Sequence, residues 1–166
     1  MKSEIYYFHQ TPNDIATKLL NKVNHYFTEG DSILEPFKGE GSFYNNFRSD
    51  LVKEFCEIEE DIDYKTNIKN HDWVVSNPPF RLEINGKRVN SIFDIICFYS
   101  TKVNKGLMFL LSLDGLNTLT SKRIKYLEDN CNLYINQIIV CDIKKWRNRY
   151  YFIVMTKHKS DNFTYL

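Results

Sequence analysis

The sequence predicts an α/β fold, a mostly parallel sheet with helices on both faces. Three observations carry this expectation. Apolar runs of strand length alternate along the chain with segments of helical period, the pattern of strand–helix–strand units. The run Gly106 to Leu113 is continuously apolar, as expected of a strand buried on both faces of a parallel sheet. The last two apolar runs are joined by a short loop and must pair as an antiparallel hairpin.

Taken in order, Ile5 to Gln10 is aromatic and polar and ends at Thr11-Pro12. Thr11 is expected as an N-cap with Pro12 at the first helical position, where proline is favoured. Ile15, Ala16, Leu19, Leu20, Val23 and Phe27 then recur at helical spacing, closing near Gly30. Ser32-Ile33-Leu34 is a short buried strand that runs into Glu35-Pro36-Phe37-Lys38-Gly39-Glu40-Gly41. A helix is expected from Ser42 to Ser49 and a second strand from Leu51 to Ile58, carrying Glu57. Polar residues lead from there to the strand His71 to Ser76. Asn85-Gly86 predicts a two-residue hairpin turn, hence a small flap over 81–91 bearing Arg81, Lys87 and Arg88. Ile92 to Val103 is helical, Gly106 to Leu113 a strand, Ser121 to Asn130 an exposed helix and Leu133 to Cys141 a strand. A basic turn, Lys144-Lys145-Trp146-Arg147-Asn148-Arg149, precedes the final strand Tyr150 to Thr156.

Composition narrows the class. The 166 residues fit one domain, with 43% hydrophobic and 26% charged residues, ordinary for a globular chain. Net charge is +1, so any nucleic-acid footprint must be local rather than global. Cys56, Cys97, Cys131 and Cys141 form no CxxC pair and have no His partner at zinc-finger spacing, which predicts reduced thiols in a cytoplasmic compartment and no metal site. No signal peptide and no apolar run of membrane-span length is visible, so neither secretion nor membrane attachment is expected.

The candidate chemistry lies in two turns. Asn77-Pro78-Pro79-Phe80 follows the apolar run Trp73-Val74-Val75. Two prolines lack N–H groups and fix φ, so the turn is rigid. Asn77 offers a side-chain carbonyl and Pro78 a backbone carbonyl, two acceptors beside an aromatic ring. That set cradles a planar –NH2 group; for the tetrapeptide alone, an ordinary Asn-Pro turn with a buried Phe competes. Gly39 and Gly41 permit a tight turn and close approach of a nucleotide-type cofactor. Glu57, about 20 residues further on, suits ribose hydroxyls, and Asp63 is within reach of an adenine amino group. The plain alternatives are a solvated acidic run and a turn aspartate. All these segments follow strands and so share one sheet edge, as does the basic turn, whose alternative is a solvated surface.

These residues resemble a known family. Thr11-Pro12 opening a helix, Glu35-Pro36-Phe37-Lys38-Gly39-Glu40-Gly41, and Asn77-Pro78-Pro79-Phe80 match in order the motifs of S-adenosylmethionine-dependent DNA adenine-N6 methyltransferases, with Glu35 in place of the usual Asp. The match spans residues 7 to 80; beyond 91 it rests on secondary-structure pattern. The resemblance implies a Rossmann-like class I methyltransferase fold with a seven-stranded-type sheet. It implies S-adenosylmethionine held by Thr11, Pro12, Glu35, Pro36, Phe37, Gly39, Gly41, Glu57 and Asp63, with no metal. It implies transfer to adenine N6 at Asn77, Pro78, Pro79 and Phe80, the base being flipped into the pocket. Arg81, Lys87, Arg88, Lys144, Lys145, Trp146, Arg147 and Arg149 would then face DNA. The chain departs from the family in offering only the 81–91 flap and the 144–149 turn for target recognition. That leaves little sequence readout, a homodimer, or a separate recognition partner, and raises RNA or single-stranded substrates. A glutamine amide in protein is the alternative –NH2, and a non-catalytic methyltransferase-like subunit is the alternative of a different class.

Overall fold

A computed structural model of the chain describes residues 10–67, 69–79, 82–84, 87–144, 146, 149–160, 163 and 165, with side chains described outside 82–84 and 87–89. The strands are β1 (Ser32–Glu35), β2 (Val52–Phe55), β3 (His71–Ser76), β4 (Leu82–Ile84), β5 (Lys87–Val89), β6 (Val103–Ser112), β7 (Tyr134–Cys141) and β8 (Tyr150–Thr156). The helices are α1 (Asn13–Val23), α2 (Ile92–Ser100), α3 (Leu113–Asn117) and α4 (Ser121–Cys131).

Six strands form one sheet in the order β2-β1-β3-β6-β8-β7, and β4 and β5 form the separate two-stranded flap. The pairs β1–β2, β1–β3 and β3–β6 are parallel, whereas β8 is antiparallel to both β6 and β7. This is the mixed α/β, Rossmann-like methyltransferase fold. The described residues hold six strands in the main sheet rather than seven. The segment that follows β2, Glu57 to Asn70, is polar and supplies no apolar run to make another.

Alternation along the strands sorts two cores. Ile33, Trp73, Val75, Met108, Leu110, Phe152 and Val154 pack under Ala16, Leu19, Leu20 and Val23 of α1. Leu34, Val74, Leu107, Phe109, Leu111, Ile153 and Met155 pack under Ile92, Ile95, Ile96 and Tyr99 of α2 and Ile124 and Leu127 of α4. Burying each such side chain stabilises by about 1.5–3 kcal/mol relative to exposure. No helix among the described residues is long and apolar enough to cross a membrane.

Several expected boundaries move for physical reasons. Thr11 does not cap α1. Pro12 is the cap residue (φ −59°, ψ 137°), and its carbonyl accepts from Ile15 N and Ala16 N, each at 3.0 Å. The expected helix over 42–49 is a single 3₁₀ turn, Tyr44–Asn46. Asn46 Nδ2 donates to the Ser42 carbonyl at 2.8 Å, taking the acceptor a helix would use. Phe47 then turns to extended backbone and buries its ring in the α1 core. β2 ends at Phe55, before Glu57, and α2 ends at Ser100, so that Val103 opens β6.

Candidate functional site

The carboxyl ends of β1, β2, β3, β6 and β7 share one edge of the sheet. β7 is included because it is antiparallel to β8, which is antiparallel to β6. The chain leaves β1 towards β2 on one side and reaches β3 on the other, so the crevice between β1 and β3 is the switch point where α/β sheets bind ligands.

The glycine loop springs from β1. Gly39 and Gly41 have φ of 51° and 81°, left-handed values that disfavour a side chain. A Cβ on Gly41 would lie 2.9 Å from Asn45 Nδ2. Gly41 N donates to the Lys38 carbonyl at 2.8 Å, and Lys38 N to the Cys56 carbonyl at 3.1 Å, tying the loop to the end of β2. Glu35 is 2% exposed, and its Oε2 accepts from Tyr44 N at 2.6 Å. Burial pushes its carboxyl well above the ordinary range, against the opposing effects of the Tyr44 N–H and the Lys38 ammonium. Glu35 therefore shapes the loop from below. Pro36 is buried, and Phe37 leans on Tyr64, ring centroids 4.8 Å apart.

Glu57 faces the same loop. Its Oε2 accepts from Gly39 N at 2.5 Å and its Oε1 from Glu59 N at 3.2 Å. A one-turn 3₁₀ helix, Ile58–Glu60, follows and closes through Asp61 in the left-handed region. The turn leaves Ile58 and Ile62 46% and 38% exposed, two apolar side chains on the surface beside a carboxylate. Apolar pattern alone puts Ile58 in a strand and gives Ile62 no role. The signal that could have found them is a pair of isoleucines inside an acidic run, where a solvated face needs none. Asp63 is a turn aspartate: its Oδ1 accepts from Lys65 N at 2.9 Å, and its carbonyl from Thr66 N at 3.0 Å.

Asn77, Pro78 and Pro79 are buried at the end of β3, with Asn77 4% exposed. Asn77 Nδ2 donates to Thr11 Oγ1 at 3.1 Å. Thr11 is 5% exposed, and its carbonyl accepts from Ser42 Oγ at 2.6 Å. Gln10 Oε1 accepts from Glu40 N at 3.4 Å. Residues 10 to 12 thus form a strap, with Pro12 half-buried, that touches both the glycine loop and Asn77. On the far side Ser91 Oγ donates to the Pro79 carbonyl at 3.4 Å, anchoring the turn to the start of α2.

Thr11, Glu35, Pro36, Gly39, Gly41, Glu57 and Asn77 are therefore linked through one loop, one strand end and one strap. The basic candidates divide differently. Lys144 and Arg149 are exposed on the edge beyond β7 and β8. Trp146 is half-buried, its ring against Tyr150 at 4.4 Å and against the α1 core. Phe80, Arg81, Lys145 and Arg147 lie outside the described residues, as do the side chains of Lys87 and Arg88 and the Asn85-Gly86 turn. The strands that turn joins do pair antiparallel, Leu82 with Val89 and Ile84 with Lys87. Among the described residues no group of three or more His, Cys, Asp or Glu is placed to hold a metal ion.

No protein-family model matches the chain, and no curated protein matches it. Solved structures do. A Listeria monocytogenes protein provisionally assigned as a class I S-adenosylmethionine-dependent methyltransferase is 19% identical with a TM-score of 0.66, over 99% of this chain and 65% of that one. Magnesium protoporphyrin IX methyltransferase from Synechocystis PCC 6803, solved with bound S-adenosylmethionine, is 9% identical with a TM-score of 0.62, over 87% and 77%. The modification subunit of a provisionally assigned type I restriction enzyme from Vibrio vulnificus YJ016 is 12% identical with a TM-score of 0.62, over 94% and 45%. The chain thus spans just under two thirds of the Listeria protein and under half of the Vibrio subunit. At these identities the likeness is one of fold.

Proposed function

We propose that this chain is an S-adenosylmethionine-dependent methyltransferase whose acceptor is a planar –NH2 group, adenine N6 in DNA. The carrying observation is Asn77: buried at the switch point, its Nδ2 committed to Thr11, and one strap away from the glycine loop. The residues present fit the cofactor. Gly39 and Gly41 hold left-handed backbone that lets the loop turn tightly, beside Pro36, for the methionyl part. The Glu57 carboxylate, held by Gly39 N and Glu59 N, would offer its remaining lone pairs to ribose hydroxyls. Exposed Ile58 and Ile62, with Asp63 next in sequence and Phe37 brought near through its ring contact with Tyr64, suit a flat heterocycle with a polar rim.

When bound, the cofactor supplies an electrophilic methyl on a sulfonium. The chain's own residues do the rest. Adenine N6 is a weak nucleophile because its lone pair is shared with the ring. Asn77 Oδ1 and the Pro78 carbonyl accept hydrogen bonds from the two N6–H groups and stabilise the positive charge that grows on nitrogen as its lone pair forms the new N–C bond, after which the nitrogen releases one proton to solvent. The double proline holds both acceptors still, so alignment costs little at the moment of reaction. By the resemblance, Phe80 would stack on the base, which leaves its helix to enter the pocket. The resemblance assigns DNA contacts to Arg81, Lys87, Arg88, Lys144, Lys145, Trp146, Arg147 and Arg149, of which Lys144 and Arg149 are exposed, and a homodimer or a recognition partner would supply sequence readout.

The test is labelled-methyl transfer over duplex DNA, single-stranded DNA, RNA and protein, followed by nucleoside and amino-acid analysis. N6-methyladenine in DNA is the expected product. Label in RNA adenine or in protein glutamine would reassign the acceptor while keeping the –NH2 chemistry. Label nowhere, with no cofactor binding, would leave a non-catalytic methyltransferase-like subunit.

A further inference from the structure

We propose that the start of α4 is a DNA-binding surface in its own right: Lys122, Arg123 and Lys125 take phosphates, and Tyr126, set on Phe93, takes an unstacked base from the strand beside the flipped adenine. The inference rests on the DNA-methyltransferase reading above and adds to it a surface beyond the flap and the 144–149 turn.

Position is the first support. β6 ends at Ser112 on the carboxyl edge, and β7 starts from the amino edge, so α4 between them begins near the carboxyl edge and runs away from it. α2 begins at the same edge, where Ser91 Oγ donates to the Pro79 carbonyl at 3.4 Å and Asn90 Nδ2 to the Asp114 carbonyl at 3.4 Å. Two residues on, Phe93 meets α4. The Arg123 guanidinium lies 4.6 Å from its ring centroid, and the Tyr126 ring 6.0 Å from it at 61°. A path of contacts thus leads from the double-proline turn to α4.

Charge is the second. A helix favours acids in its first turn and bases in its last. α1 obeys, with Asp14 and Lys22, and α2 places Asp94 in its first turn. α4 has no acid in its first turn and no base in its last. Its cations Lys122, Arg123 and Lys125 crowd the start, and Glu128 and Asp129 stand near the end. Stability alone favours the reverse, and local rules yield in this way at functional surfaces. The acids near that end, Asp94 and Asp114, belong to α2 and α3, while all three α4 cations are exposed.

The aromatic platform is the third. Tyr126 is 48% exposed although its helix is otherwise polar on that side. An open ring stacks on a base of any sequence, and cations interleaved with it hold the backbone. Arg123 is oriented beforehand, by Phe93 beneath it and by Nη1 donating to the Thr118 carbonyl at 3.0 Å. Its planar fork carries further N–H groups for phosphate oxygens.

The test is fluorescence anisotropy of a labelled oligonucleotide, as duplex and as single strand, titrated with the protein and S-adenosylhomocysteine over a range of salt. The variant Lys122→Gln/Arg123→Gln/Lys125→Gln should lower the slope of log affinity against log salt on duplex by about 2–3. Its Tm should hold or rise, because the lost cations oppose the helix dipole, and its Kd for S-adenosylhomocysteine should stay within about twofold. Tyr126→Ala should weaken single-strand binding by about 5- to 100-fold, and Tyr126→Phe by less than about twofold. An unchanged slope in the triple variant, wild-type affinity in Tyr126→Ala, or no saturable DNA binding by the wild type at low salt would overturn the proposal. A wild-type chain that binds DNA through this face yet labels no adenine would defeat the acceptor assignment alone.

Discussion

The two ends of the sheet use the same residue types for opposite purposes. At the amino end, Asp31 is 6% exposed and accepts from Thr28 N at 3.0 Å, Trp73 Nε1 at 2.9 Å and Lys105 Nζ at 2.5 Å. Asp72 accepts from Ser32 N and Ser32 Oγ, each at 2.9 Å, and from Asn104 at 3.3 Å. Burial pushes both carboxyls up, but these donors outweigh it and hold them below the ordinary range. At the carboxyl end, Glu57 is held by N–H groups of loops that line the crevice, and burial pushes the Glu35 carboxyl above the ordinary range. One end saturates its charges with the chain's own strands and locks the sheet. The other holds polar groups in place by short loops and a strap, where a ligand can meet them.

The contrast predicts that substitutions at the two ends separate stability from activity. Asn77→Ala should lower methyl transfer by about 10²–10³-fold while leaving the Tm and cofactor affinity near wild type; single-turnover kinetics beside a thermal melt checks this. Asp31→Ala should cost about 2–4 kcal/mol, because it leaves a buried indole N–H and an ammonium without their acceptor. Urea unfolding reads this loss, and activity per folded molecule should persist. Glu57→Ala should weaken cofactor binding by about tenfold, the worth of one charge-assisted hydrogen bond, by calorimetric titration.

The two ends also carry opposite pH signs. The Asp31 carboxyl is depressed in the fold, so its stabilisation is present above its unfolded value and is lost as pH falls. Glu35 is raised, so the fold binds its proton more tightly than the unfolded chain does, and stability declines as pH rises above the ordinary glutamate range. Glu35→Gln should therefore raise the Tm at neutral pH, and the gain should vanish as the pH drops below that range. The smallest effect belongs to the rim. Replacing exposed Lys144 and Arg149 by Ala should reduce the slope of log affinity against log salt by about 2 on duplex DNA. An unchanged slope would return both to solvated surface.

Much of the fold was legible because burial writes itself into local pattern. The strands His71–Ser76 and Tyr150–Thr156 have the bounds their sequence predicts, since each centres on an apolar run, Trp73-Val74-Val75 and Tyr150 to Met155, with polar residues beyond it. The flap pairing was legible from the Asn85-Gly86 turn signal and the direction of β7 from the short loop to the last strand. What failed was decided by contacts distant in sequence. Residues 42–49 follow the glycine loop where a helix is expected, but Asn46, which donates to Asn13 Oδ1, and the buried Phe47 are held against α1 and pull the chain out of a helix. Thr11 looks like a cap by rule, yet its hydroxyl is taken by Asn77. The Asp31 cluster could not be read at all, because Trp73 and Lys105 approach only once β1, β3 and β6 lie side by side.

The central claim is that the carboxyl edge between β1 and β3 is a cofactor crevice facing Asn77. Titration of 15N-labelled protein with S-adenosylhomocysteine tests it most directly. Saturable shifts confined to Gly39, Gly41, Glu57, Ile58, Ile62 and the Asn77 side chain, with Asp31, Asp72 and Asn104 unmoved, are the predicted result. No saturable binding, or shifts centred on the amino-end network, would contradict it.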